Sequence, residues 1–195
     1  TNYAEFLANF PPTYEAQIHE NSSWSCVHGV ERWKADCGCN SGKPNCHQKW
    51  RKPLRESLDW LRDELAKIYQ KEASAILTDP WKAREDYINV ILNRNDDTIK
   101  AFLKRNCKVD VEQNRVFRLM EVQRNAMLMY TSCGWFFDEI SGIETVQILQ
   151  YACRAMQLVS QTSDVNLEEE FLSRLELAPS NIASLENGAG VYQKY

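Results

Sequence analysis

At 195 residues the chain is long enough for one well-packed domain, and 44% hydrophobic with 26% charged residues is a globular rather than a disordered composition. A net charge of −4 excludes the basic stripe of a general nucleic-acid or anionic-membrane binder. No apolar run reaches the roughly 20 residues that span a bilayer, and TNYAEFLANF lacks the basic start and apolar stretch of a signal peptide, so a reducing cytoplasm is the expected compartment. The chain does not open on Met and is expected to be a segment of a longer polypeptide.

Taken in order, the chain begins with a short aromatic-bearing amphipathic piece around Tyr3, Phe6 and Phe10, stopped by Pro11-Pro12. A stretch without helical period follows, then turn chemistry from Asn40 to His47. Pro53 is expected to open a helix at its first position, and Leu54, Leu58, Leu61, Leu65 and Ile68 give it one apolar face. Asp79 before Pro80 caps the next helix, to about Leu92, and Asn95 to Asp97 cap a short one through Phe102 and Leu103. Asp110 with Gln113 resembles a capping box opening a helix through Val116, Met120 and Met127. A further helix to about Ser160 is expected to turn Ile143, Val146, Leu149, Cys153 and Met156 inward. Ser163 or Asp164 caps another through Leu172 and Leu175, and Pro179 starts a last short piece. With no strand pair or repeat, the prediction is an all-α helical bundle with an irregular Cys/His/Trp-containing N-terminal segment. Residues 1–52 form that segment, 53–187 the bundle and 188–195 a tail, together one domain.

The chemistry concentrates in NSSWSCVHGVERWKADCGC, Asn21 to Cys39. Cys26, His28, Cys37 and Cys39 offer three thiolates and an imidazole, a ligand set that suits tetrahedral zinc, although one-residue gaps are shorter than the usual ligand spacing. The competing reading is that His28 makes structural hydrogen bonds and the cysteines pack, with a disulfide among Cys37, Cys39 and Cys46. No cofactor other than zinc is called for. Seven cysteines cannot all pair, and Cys107, Cys133 and Cys153 are expected as small buried hydrophobes. Cys26 beside His28 as a nucleophile pair is disfavoured, because catalytic Cys and His meet through the fold. Trp24, Trp33, Trp50 and Trp135, with neighbouring Glu31, Arg32, Arg51, Asp138 and Glu139, suit a different chemistry, since indole faces stack on sugar rings and placed polar groups take the hydroxyls. Against that, aromatics are mostly core and charged pairs mostly solvated.

Three stretches, NSSWSCVHGVERWKADCGC, HQKWRKPLRESLDWLRDEL and YTSCGWFFDEISGIETVQILQYACRA, with the lead-in FPPTYEAQIHENSSWSC, carry a family resemblance. Over about residues 10 to 160 the chain resembles the uncharacterised C-terminal region of bacterial proteins whose N-terminal part is a glycoside hydrolase family 57 catalytic domain. The resemblance implies a parent hydrolase or glucanotransferase acting on α-glucans from a barrel that is not in this sequence. No carboxylate here therefore inherits a catalytic role, and the chain alone is expected to be inactive. The implied partners are that N-terminal barrel of the same polypeptide and a polysaccharide or oligosaccharide, with no nucleic acid and no membrane. Trp24, His28, Trp33, Trp135, Asp138 and Glu139 would then complete the substrate cleft. One departure is visible: the family commonly reads Trp-Asn where this chain has Cys46-His47, which sets these two apart from a shared metal site. The second expectation is a structural or protein-interaction module with a Cys/His metal site.

Overall fold

The computed structural model describes residues 2–109 and 111–195. Its elements are α1 (Tyr3–Asn9), a 3-10 turn (Glu31–Trp33), α2 (Arg51–Ile76), α3 (Pro80–Leu92), α4 (Asp96–Asn106) and α5 (Gln113–Leu128). There follow a second 3-10 turn (Ser132–Trp135), α6 (Ile143–Ser160), α7 (Glu168–Leu175), a third turn (Ala183–Leu185) and α8 (Gly188–Lys194). Among the described residues β-pairing is limited to two isolated bridges, Leu77 with Cys107 and Pro179 with Asn187. The fold is all-α, and among the described residues no helix is long and apolar enough to cross a membrane.

Helix α2 is the axis. Its 26 residues span about 39 Å at 1.5 Å per residue, long enough to serve two separate cores. Leu54, Leu58, Leu61 and Leu65 meet Val122 and Ala126 of α5, the inner face of α6, and Phe171, Leu175 and Val191 from α7 and α8. Farther along, Tyr69 and Ala73 join Tyr87, Val90, Phe102, Val116 and Phe117 in a second core between α2, α3, α4 and the start of α5. The switch from one partner set to the other follows from the length of the apolar stripe, which outruns any single neighbouring helix.

The local start signals at Asp79 and Asn95 work as read: Asp79 Oδ1 accepts from the Lys82 N–H at 3.1 Å and Asn95 Oδ1 from the Thr98 N–H at 2.9 Å. Elsewhere tertiary packing shifts the boundaries. Helix α2 begins at Arg51 rather than Pro53, whose missing N–H is one that the first turn leaves unpaired in any case. Asp110 lies outside the described residues, and α5 starts at Gln113 after Glu112. Helix α7 starts at Glu168, where Asn166 Oδ1 accepts from the Glu168 N–H at 3.0 Å, and not at Ser163 or Asp164. Ile143 does not turn inward; it opens α6 and is 79% exposed. Cys133 is exposed, and Cys107 and Cys153 are half-buried rather than core. Residues set apart as a tail form α8, with Gly188, Ala189 and Val191 buried and Asn187 Oδ1 accepting from the N–H groups of Ala189 and Gly190.

The N-terminal segment behaves differently. No residue of α1 is buried, and between α1 and α2 the only regular element among the described residues is the turn at Glu31–Trp33. What fixes this segment is therefore side-chain chemistry, not helix packing.

Candidate metal centre

Cys26, His28, Cys37 and Cys39 come together with one ligand atom from each, all within 4.8 Å of one another. Cys26 Sγ lies 3.8 Å from both Cys37 Sγ and Cys39 Sγ, while His28 Nδ1 is 3.9 Å from Cys26 Sγ and 3.6 Å from Cys39 Sγ. With metal–sulfur bonds of about 2.3 Å and metal–nitrogen bonds of about 2.0–2.1 Å, a regular tetrahedron has edges of about 3.8 Å between sulfurs and about 3.5 Å from sulfur to nitrogen. Four of the six edges, at 3.6–3.9 Å, lie near those figures. A disulfide sits at about 2.05 Å, so the expected pairing among Cys37, Cys39 and Cys46 does not form, and every cysteine is free. The cluster can coordinate a metal ion.

Two glycines bend the chain at the ligands, one directly after His28 and one between Cys37 and Cys39. Gly29 follows His28 with φ +76°, and an added Cβ would stand 2.5 Å from the Asn21 carbonyl oxygen. Gly38, between Cys37 and Cys39, has φ +82° in open space. Both conformations belong to the left-handed region, where glycine carries no Cβ penalty. They turn the chain sharply enough for side chains two residues apart to face one point.

Thiol acidity is already biased. Burial opposes ionisation of Cys26, but the backbone N–H groups of Arg32 and His28 and hydrogen bonds with His28 and Cys37 outweigh it and bring the pKa down to about 6. Burial and the adjoining Cys26 push Cys37 the other way. The cluster thus favours one thiolate first and resists the second until a cation shares the charge.

A polar knot mounts this segment on the bundle. Arg51, fully buried at the start of α2, donates from Nη1 to the Cys39 carbonyl at 2.7 Å and from Nη2 to the Phe136 and Phe137 carbonyls at 3.4 Å each. Trp33 Nε1 donates to the Ser132 carbonyl at 2.8 Å, and the Arg32 guanidinium lies over the Phe136 ring at 4.5 Å. Asp138 accepts from the Ser41 N–H and hydroxyl at 2.8 Å each, the Lys43 N–H at 2.9 Å and Gln48 Nε2 at 3.2 Å. Glu139 faces the other way, accepting from the Ser180 hydroxyl at 2.6 Å and the Asn181 N–H at 2.8 Å. Asn181 closes the knot, accepting from the His47 N–H and donating to the carbonyls of His47 and Asp138. Burial raises both carboxyls, yet these donors, with Arg51 near Asp138, hold each below its usual range.

The residues singled out for a sugar site divide accordingly. Trp135, Asp138 and Glu139 are buried, Trp135 stacking on Tyr130 and donating from Nε1 to the Arg51 carbonyl. Their ring faces and oxygens are engaged inside the protein. His28 faces the thiols, and Trp33 is half-buried with its N–H used. Trp24 stays 91% exposed beside Phe136, and Val27, within the ligand loop, is 92% exposed. Arg32 and Arg51, which the sequence offers as polar neighbours of the tryptophans, are both buried, and only the fold shows Arg51 holding the ligand loop through the Cys39 carbonyl.

Comparison with curated proteins finds no match, and comparison with solved structures finds none. A family model described as Domain of unknown function (DUF3536) matches residues 46–195, taking in the whole bundle with Trp135, Asp138 and Glu139, while the four ligands precede it. The match bears out the resemblance to the region that follows glycoside hydrolase family 57 catalytic domains. Among the described residues the chain is an all-helical module, and it belongs to the family described as Domain of unknown function (DUF3536).

Proposed function

We propose that this chain is a structural and interaction module in which a metal ion held by Cys26, His28, Cys37 and Cys39 staples the N-terminal segment into the one shape that the polar knot around Arg51 and Asp138 mounts on the bundle. The segment so held is the face that packs against a family 57 catalytic barrel of the same polypeptide. The observation that carries the reading is the four-ligand cluster, with tetrahedral edges, inside a segment otherwise almost without regular structure. A closed ligand set of this kind leaves no open position for a substrate, which fits structural rather than catalytic work. The same segment exposes Trp24 and Val27, apolar surface that a partner would cover.

The test is chelation under reducing conditions followed by limited proteolysis. Loss of the ion is expected to open residues 21–45 to cleavage while helical circular dichroism is retained, because the cores of α2 to α8 hold none of the ligands. Protection unchanged after complete metal removal would sink the stapling role. In the complete polypeptide, Trp24→Ala distinguishes packing from a cleft role. Weakened hydrogen-exchange protection on the barrel with unchanged α-glucan turnover supports packing; a selective rise in KM for α-glucan would instead place Trp24 against substrate.

A further inference from the structure

The buried charges around the cluster constrain the charge of an ion held there. Arg32 is 5% exposed and its Nε is buried without a hydrogen-bond partner. Among the described residues its side chain makes no salt bridge; its contact is the face of Phe136. Glu31, next to it, pairs with Lys34 at the surface at 3.7 Å. Arg51 is close enough for the two guanidiniums to repel each other, and the groups that offset this are Cys37, buried Asp138 and exposed Asp36. Arg51 also occupies the first turn of α2, which contains no acid, so the positive end of a long helix adds to the same region. Setting Arg51 against Asp138 leaves buried Arg32, which makes no salt bridge among the described residues, to the thiols of the cluster and exposed Asp36. A buried cation without a counter-charge is costly, and a neighbouring anionic centre removes that cost.

Three thiolates and a neutral imidazole around a divalent ion make a centre of charge −1. A monovalent ion would give −2 and a trivalent one 0, and only the first of the three neutralises Arg32. Thiolate and imidazole ligands at tetrahedral edges disfavour the hard, oxygen-seeking divalent ions and favour zinc. We infer that Cys26, His28, Cys37 and Cys39 close on one zinc(II) ion as a centre of net charge −1, and that Arg32 is its counter-charge. This rests on the metal staple proposed above and names its ion and the residue that positions it. Arg32 touches no metal; what ties it to the cluster is the backbone N–H that it aims at Cys26.

Cobalt(II) titration of the metal-free, reduced chain, followed by competition with zinc, tests both parts. The wild-type chain is expected to take one equivalent, with thiolate-to-cobalt charge transfer and the intense visible bands of a tetrahedral site, and zinc is expected to displace it. Arg32→Met is expected to lower zinc affinity about 10- to 100-fold with the band positions kept, and Arg32→Lys to restore most of the loss. Equal affinity in Arg32→Met, or equal weakness in Arg32→Met and Arg32→Lys, would overturn the counter-charge while leaving the staple standing. No tetrahedral cobalt spectrum in the wild-type chain, or purification with copper or iron in place of zinc, would overturn the zinc centre. Complete absence of bound metal would also remove the staple.

Discussion

Replacing Asp138 with alanine is expected to destabilise the chain by about 3–5 kcal/mol, the range for removing one member of a buried charge pair and orphaning its partners. The carboxylate collects four hydrogen bonds from Ser41, Lys43 and Gln48, and its charge offsets that of Arg51. Without it, two backbone N–H groups and a buried guanidinium lose their acceptor or counter-charge together. Asp138→Asn keeps the shape but turns one acceptor into a donor aimed at N–H groups, so most of the loss is expected to remain. Thermal unfolding should show a fall of roughly 10 °C for the alanine variant. A change below about 1 kcal/mol would show that the loop at Ser41–Lys43 is not held this way. The same bonds make a pH prediction. Asp138 and Glu139 have folded pKa values below their unfolded ones, about 3.9 and 4.3. Their contribution is therefore fully present above the unfolded values and is lost as pH falls through the folded ones. Wild-type stability should drop below about pH 4, and Asp138→Ala should flatten part of that drop.

The second large effect lies away from the metal. Phe102 of α4 is fully buried, with ring centroids 5.8 Å from Tyr87 and 5.9 Å from Phe117. Truncation to alanine leaves a cavity among three rings, and about 3–5 kcal/mol of destabilisation is expected from urea unfolding. Zinc binding by the folded fraction should stay at the wild-type level, because this core contributes no residue to the polar knot around Arg51 and Asp138. A parallel loss of zinc affinity would mean that the two cores act as one unit, with α2 transmitting the defect from Tyr69 to Arg51. The two variants thus probe opposite ends of one helix.

Helices α2, α3 and α4 could be read from residues alone because their signals are local. A 3.6-residue apolar period and an Asp or Asn cap act within a few residues of one another. Helix α8 could not: its opening Gly-Ala-Gly is a poor helix former, and it forms because Asn187 caps it and Ala189 and Val191 pack into the first core. Ile143 illustrates the opposite failure. The apolar period of α6 includes it, yet it stands at the helix mouth, where no neighbouring element reaches.

At the stretch from Asn21 to Cys39, the sequence by itself determined the donor set, three thiols and an imidazole, because ligand chemistry belongs to residue type. The tertiary structure decided that the four donors meet, since Cys26 and His28 reach Cys37 and Cys39 across eleven to thirteen residues, with left-handed turns at Gly29 and Gly38. It also decided what Asp138 does. Its partners at Ser41 and Lys43 lie 97 and 95 residues away, and a carboxylate's role depends on which donors surround it, not on its neighbours in sequence. Burial of Arg32 is the same kind of fact: an arginine beside a surface acid in sequence is set against the Phe136 ring only by the fold.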